Sequence, residues 1–150
     1  MGSVGMPDEN SRPTGTIIAF DFGHRRIGVA VGQTLTGSAT PLAVVAFTNR
    51  PDWRAITSII DEWKPAACVV GLPLAEDGGD TEMSKAARRF GRQLEGRFGI
   101  SVCFEDERLT SFGAEQRFLD ARSRGEMRRK DAALKDAIAA QIILENWLVS

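Results

Sequence analysis

The chain has very little of what builds thiolate metal sites and histidine-assisted nucleophiles: one histidine and two cysteines in 150 residues. Cys68 and Cys103 cannot supply a disulfide framework or a four-thiolate zinc site. Both sit inside apolar runs, which reads as buried, reduced thiols in a cytosolic protein. No apolar run approaches the roughly 18 residues of a membrane span. Met1 to Gly15 has no apolar core of the kind a secretory signal needs. Met6 stands where a myristoylation motif would have Ser or Thr. The expected location is therefore cytoplasmic. Net charge is also scarce: 19 basic against 20 acidic side chains leaves -1. That excludes a uniformly basic nucleic-acid binder but not a polarised one, because a sum hides its distribution.

What remains is an ordinary globular composition, 43% hydrophobic and 26% charged. The length fits one domain. Residues 1–15 read as a disordered tail and 16–150 as a single domain. Thr16–Phe22, Arg26–Gly32 and Leu42–Phe47 are short runs rich in strand formers, with links short enough for an antiparallel meander. The period then changes. Pro51–Trp63 carries a helical stripe through Trp53, Ile56, Ile59, Ile60 and Trp63. Ala67–Leu72 is a strand without polar alternation, as when both sheet faces are covered. Glu82–Phe98 is a helix, Ile100–Glu105 a fifth strand, and Ser111–Ala121 another helix. Ser123–Lys130 is a basic loop. Asp131 stands where it can cap a last helix over Ala132–Val149. The fold class is α/β: a five-stranded mixed sheet with helices on both faces.

Three acidic positions stand out. Asp21 lies near the end of the first strand, ahead of Gly23, where the chain turns back. That mount, expected at the sheet's edge, suits a carboxylate that holds a hard cation. It equally suits an Asp that only caps a turn. Glu105, Asp106 and Glu107 close the fifth strand. Alternation sends Glu105 and Glu107 to one side and Asp106 to the other. Crowding them is costly unless Arg108 or a metal compensates; otherwise they are a solvated strand end. Asp136 falls on a helical line with Ala140, Ile143 and Trp147, where an acid needs a cation or a basic partner such as Lys135. Carboxylates from a first strand, a later strand end and a C-terminal helix suit two-metal phosphoryl transfer.

Five segments, in order across Thr16–Leu148, resemble the YqgF/RuvX family of RNase H-like proteins. They are FDFGHRRIGVAVG (Phe20–Gly32), TGSATPL (Thr36–Leu42), VVGLPLAEDG (Val69–Gly78), FEDERLTS (Phe104–Ser111) and KDAIAAQIILENWL (Lys135–Leu148). The resemblance implies an RNase H-like fold and a nuclease that processes pre-16S rRNA, in a family also described as Holliday junction resolvases. Its acidic positions match Asp21, Glu107 and Asp136, which would hold Mg2+ or Mn2+, two ions in all. Ala137 replaces a serine common after the helix Asp and leaves the carboxylate in place. His24 inherits no role and reads as an exposed turn residue.

The charge is indeed polarised. Residues 1–84 hold 6 basic and 10 acidic side chains, whereas 85–135 hold 13 and 8. The densest patch, Arg122, Arg124, Arg128, Arg129 and Lys130, immediately precedes the helix that carries Asp136. Phosphate contacts there would position a backbone beside the acids without reading sequence. Arg88, Arg89, Arg92 and Arg97 read as a solvated helix face. The expected partners are structured RNA, a pre-rRNA in ribosomal particles, or branched DNA, bound by a monomer or a homodimer. An actin-like ATPase is the competing reading of a DxG turn, but it needs two such domains. A ribosome-assembly factor without catalysis is another, and retention of all three acids speaks against it.

Overall fold

In a computed structural model, residues 12–108 and 132–150 are described. The strands are β1 (Thr16–Phe22), β2 (Arg26–Gln33), β3 (Ser38–Ala46), β4 (Ala67–Leu72) and β5 (Ser101–Asp106). The helices are α1 (Trp53–Trp63), α2 (Glu82–Phe98) and α3 (Ala132–Val149). The sheet order is β3-β2-β1-β4-β5. β1 pairs antiparallel with β2 and parallel with β4, and β5 continues the parallel half. The expected helix Ser111–Ala121 and the basic loop Ser123–Lys130 lie outside the described residues, as does Asp131.

Strand alternation divides the core into two. Ile18, Phe20 and Phe22 of β1 join Val29, Cys68, Val70, Ile56, Phe90 and Leu94 under α1 and α2. Ile17 and Ala19 join Ala30, Ala67, Val69, Ala140, Ile143, Leu144 and Trp147 under α3. Every β4 residue is buried, which accounts for its unbroken apolar sequence. Among the described helices α3 alone covers its face of the sheet, chiefly across β1, β2 and β3, so it is apolar over much of its girth.

The helix ends follow local chemistry. Asp52 caps α1 by accepting from the Ala55 N–H at 3.2 Å. Pro51 therefore precedes the helix. Lys64 closes α1 in the left-handed region (φ 45°), and its N–H bonds the Ile60 carbonyl. α2 begins with a reciprocal capping box between Thr81 and Ser84 and ends at Gly99 (φ 63°). β3 starts earlier than its apolar run, at Ser38. The edge of a sheet tolerates a proline, and Pro41 is taken up beside a register irregularity at Val29/Ala30. At the other end of the chain, Gly15 is tied to Thr34 on both sides of its peptide unit. Arg12 lies 3.9 Å above the Trp147 ring and donates to the Ser150 carbonyl at 2.7 Å. Cys68 is buried and Cys103 only partly so; both are free thiols.

Candidate active site

Asp21 sits near the end of β1, the central strand, and not at an edge as its sequence context suggests. It alternates with Ile17 and Ala19 onto the α3 face. Its cross-strand partner is Gly28 of β2. On its other side, one residue beyond the Phe20–Val70 pairing, comes Gly71 of β4. The acid is thus flanked by two strand positions that carry no side chain.

Both glycines make room for the other two acids. A Cβ on Gly28 would collide with the Asp136 carbonyl, so the first turns of α3 rest on the β2 backbone at this point. A Cβ on Gly71 would lie 2.7 Å from Glu107 Oε2 and 2.5 Å from Ile143 Cδ1. Glycine inside a strand commonly marks such a close approach. Glu107 follows β5 and extends its pairing, because its N–H donates to the Leu72 carbonyl at 3.1 Å. Glu107 and Asp136 therefore both approach Asp21, from elements far apart in the chain, without closing around one point.

Their neighbours sort the acidic cluster. Asp106 is held by Arg108, which donates from Nε at 2.8 Å and Nη2 at 2.5 Å. That ion pair holds the Asp106 carboxyl below its ordinary range. Glu105 is partly buried, and loss of solvent raises its pKa against the pull of Arg12. Glu107 is the member that joins Asp21. Burial, then repulsion from Asp21, pushes its pKa up to about 9. Burial, then the Asp136 charge, raises Asp21 to about 6. Glu107 Oε2 is buried and meets no donor among the described residues. Burial and the charge of Asp21 both favour a proton on Glu107. At neutral pH the pair thus holds one proton and one charge.

Among the described residues Asp136 has a partner far from its own neighbourhood in the chain. Arg26, at the start of β2, donates from Nε to Asp136 Oδ2 at 2.7 Å. Arg26, Gly28 and Gly71 are the site residues that sequence reading passed over. The glycines carried a signal, since each interrupts an otherwise apolar strand. Arg26 carried none, because the pairing spans 110 residues. The basic positions Arg122, Arg124, Arg128, Arg129 and Lys130 lie outside the described residues.

A buried carboxyl pair short of donors, with a third acid beside it, is chemically suited to a divalent cation, which neutralises charge and offers itself to oxygen. Among the described residues no group of three acidic or thiol side chains is already gathered around a single point. Arg26 supplies the countercharge to Asp136 instead. The donor set fits a hard metal, which would take the place of the Glu107 proton and compete with Arg26 for the Asp136 charge.

A family model described as "RuvX: Holliday junction resolvase" matches residues 15–150. A protein of Xanthomonas euvesicatoria named "Putative pre-16S rRNA nuclease" is 45% identical over 147 residues, covering 97% of this chain and 95% of its own length. Two solved structures share the fold at low identity. The Holliday junction resolvase of fowlpox virus has a TM-score of 0.55 at 12% identity, over 89% of this chain and 98% of its own. RuvC of T. thermophilus, solved with a Holliday junction substrate, gives 0.51 at 16%, over 86% of this chain and 91% of its own. The five-stranded mixed sheet is thus the RNase H-like one. With the family model spanning nearly the whole chain, and a relative 45% identical over 97% of it, the chain belongs to the RuvX family.

Proposed function

We propose that this protein is a metal-dependent nuclease that hydrolyses phosphodiester bonds of structured RNA, processing the 5′ end of pre-16S rRNA. The observation that carries this reading is the Glu107 carboxyl, buried beside Asp21 with an oxygen that meets no donor. Such a pair is unfavourable without a cation and well matched to one. Asp21, Glu107 and Asp136 would hold Mg2+ or Mn2+, two ions shared among the three carboxylates. When bound, such ions polarise a phosphoryl oxygen and make a water acidic enough to attack near neutral pH.

The chain's own residues do the rest. Glu107 gives up its proton as the site fills. Arg26 leaves Asp136 and remains at the mouth of the site, a guanidinium free to pair with a backbone phosphate. Arg122, Arg124, Arg128, Arg129 and Lys130 would grip flanking phosphates and set the strand's position. The name of the 45% identical relative supports pre-16S rRNA as the substrate.

The test is cleavage of a 5′-extended pre-16S transcript, free and in ribosomal particles, with Mg2+ or Mn2+. Asp21→Asn should abolish cleavage and keep RNA binding. Equal cleavage by the two proteins would overturn the assignment. A synthetic four-way DNA junction serves as the comparison substrate. Cleavage of the junction alone, by a dimer, would make this a resolvase instead.

A further inference from the structure

Phe22 and Gly23 follow Asp21 directly, but alternation places Phe22 on the opposite face of the sheet, under α1 and α2. There the β1–β2 turn, the stretch before α1 and the first half of α2 enclose a cavity of about 300 Å³. This is the lower end of the range for small-ligand sites. Its floor is aromatic, with Phe22 and Phe90 buried in the core and Phe47 partly open. Phe22 packs against Phe47 and Phe90 with ring centroids 5.1 and 5.0 Å away. Trp53 stacks on Phe90 at 5.6 Å and stiffens the row from behind.

The rim is cationic. Arg50 and Arg89 line the opening, together with His24. Neither arginine has an ion-pair partner among the described residues. Their neighbours differ. Arg88, next on α2, pairs with Asp80 at 3.2 Å, and Glu82, the acid of the cavity wall, pairs with Lys85 at 3.6 Å. Asn49 and Gln93 add two amides, each with a donor and an acceptor. An aromatic floor, amides at the wall and unpaired guanidiniums at the mouth match a base joined to a phosphate.

We propose that this cavity receives one unpaired nucleotide of the nucleic-acid strand that runs past Asp21. Its base lies against Phe47, the partly open ring of the three, and its phosphate lies between Arg50 and Arg89. A protein side chain would fill the apolar floor and leave both arginines unmatched. The assignment of the strand as substrate rests on the nuclease reading; the nucleotide site does not.

The test is made in chelator, where no cleavage occurs. Uridine and adenosine 5′-monophosphates are titrated into isotope-labelled full-length protein, with ribose 5-phosphate as the baseless control. The nucleotides should shift the amide signals of Gly23, Ala86 and Gln93, and the control should shift them less. Arg50→Ala with Arg89→Ala should weaken binding of the nucleotides and of single-stranded RNA by about tenfold or more, one charge-assisted contact being worth that much. Arg92→Ala, on the same helix but outside the cavity, should not. Unmoved signals would overturn the proposal, as would ribose 5-phosphate acting as well as a nucleotide. Equal weakening by Arg92→Ala would also overturn it, since that marks diffuse charge. Nucleotide binding without any nuclease activity would keep the cavity and defeat the nuclease reading. Asp21-dependent cleavage with a silent cavity would do the reverse.

Discussion

Replacing Glu107 by Gln should flatten the pH dependence of stability in the metal-free protein. In the folded chain Glu107 holds its proton up to about 9, against an ordinary value of 4.5. Unfolding therefore releases a proton at any pH between these limits. The stability this group contributes is full below pH 4.5 and is lost as pH rises through about 9. One proton per molecule corresponds to at most about 1.4 kcal/mol per pH unit. From pH 6 to 8 the loss approaches ~3 kcal/mol, or roughly 6–12 °C in Tm for a domain of this size. Glu107→Gln keeps the shape, places an N–H against Asp21 and removes the titration. The assay is thermal melting in chelator at pH 6, 7 and 8 for both proteins. His24, the one histidine, is common to both and cancels in the difference. Saturating Mg2+ should flatten the wild-type profile as well. A wild-type protein equally stable at pH 6 and 8 without metal would refute the reasoning. So would a variant that keeps the wild-type slope.

Three smaller perturbations test the surrounding architecture, two beside the pair and one at the start of α2. Gly28→Ala drives a Cβ into the Asp136 carbonyl. It should cost about 2–3 kcal/mol in a urea titration and reduce cleavage by displacing α3. Arg26→Ala removes the 2.7 Å partner of Asp136. The pair is substantially exposed, so the loss in chelator should stay within about 1 kcal/mol. That loss should vanish in Mg2+, which melting curves with and without the ion would show. Ser84→Ala deletes a buried hydroxyl that donates to Asp80 at 2.8 Å and accepts from the Thr81 N–H at 2.7 Å. A loss of about 1–2 kcal/mol at equilibrium is expected.

Periodicity reached the regular elements well. β1, β4, α2 and α3 match the spans read from sequence, because each is an uninterrupted run of one period between clear stops. β3 was harder. Its first half, Ser38–Pro41, shows no apolar run and owes its extension to pairing with β2. Tertiary pairing of that kind leaves no local trace. The acids divided in the same way. Alternation separated Asp106 from Glu107, and helical spacing put Asp136 on the buried line of Ala140, Ile143 and Trp147. Only folding could show that Arg26 meets Asp136, or that Asp21 belongs to the central strand. The cavity behind Phe22 was equally invisible, since its walls come from three separate segments.

The burial of β4 also makes Cys68 a clock for opening of the core. Its side chain is fully enclosed, and burial pushes the thiol up to about 12. A thiolate is the reactive form, so the folded chain offers an alkylating reagent almost nothing at this position. Cys103, one strand over and only partly covered, is the internal contrast. The rate at which Cys68 is modified therefore reports how often the central parallel pair comes apart. Because β1 carries Asp21 on that same pair, one chemical label measures how persistently the platform under this acid exists.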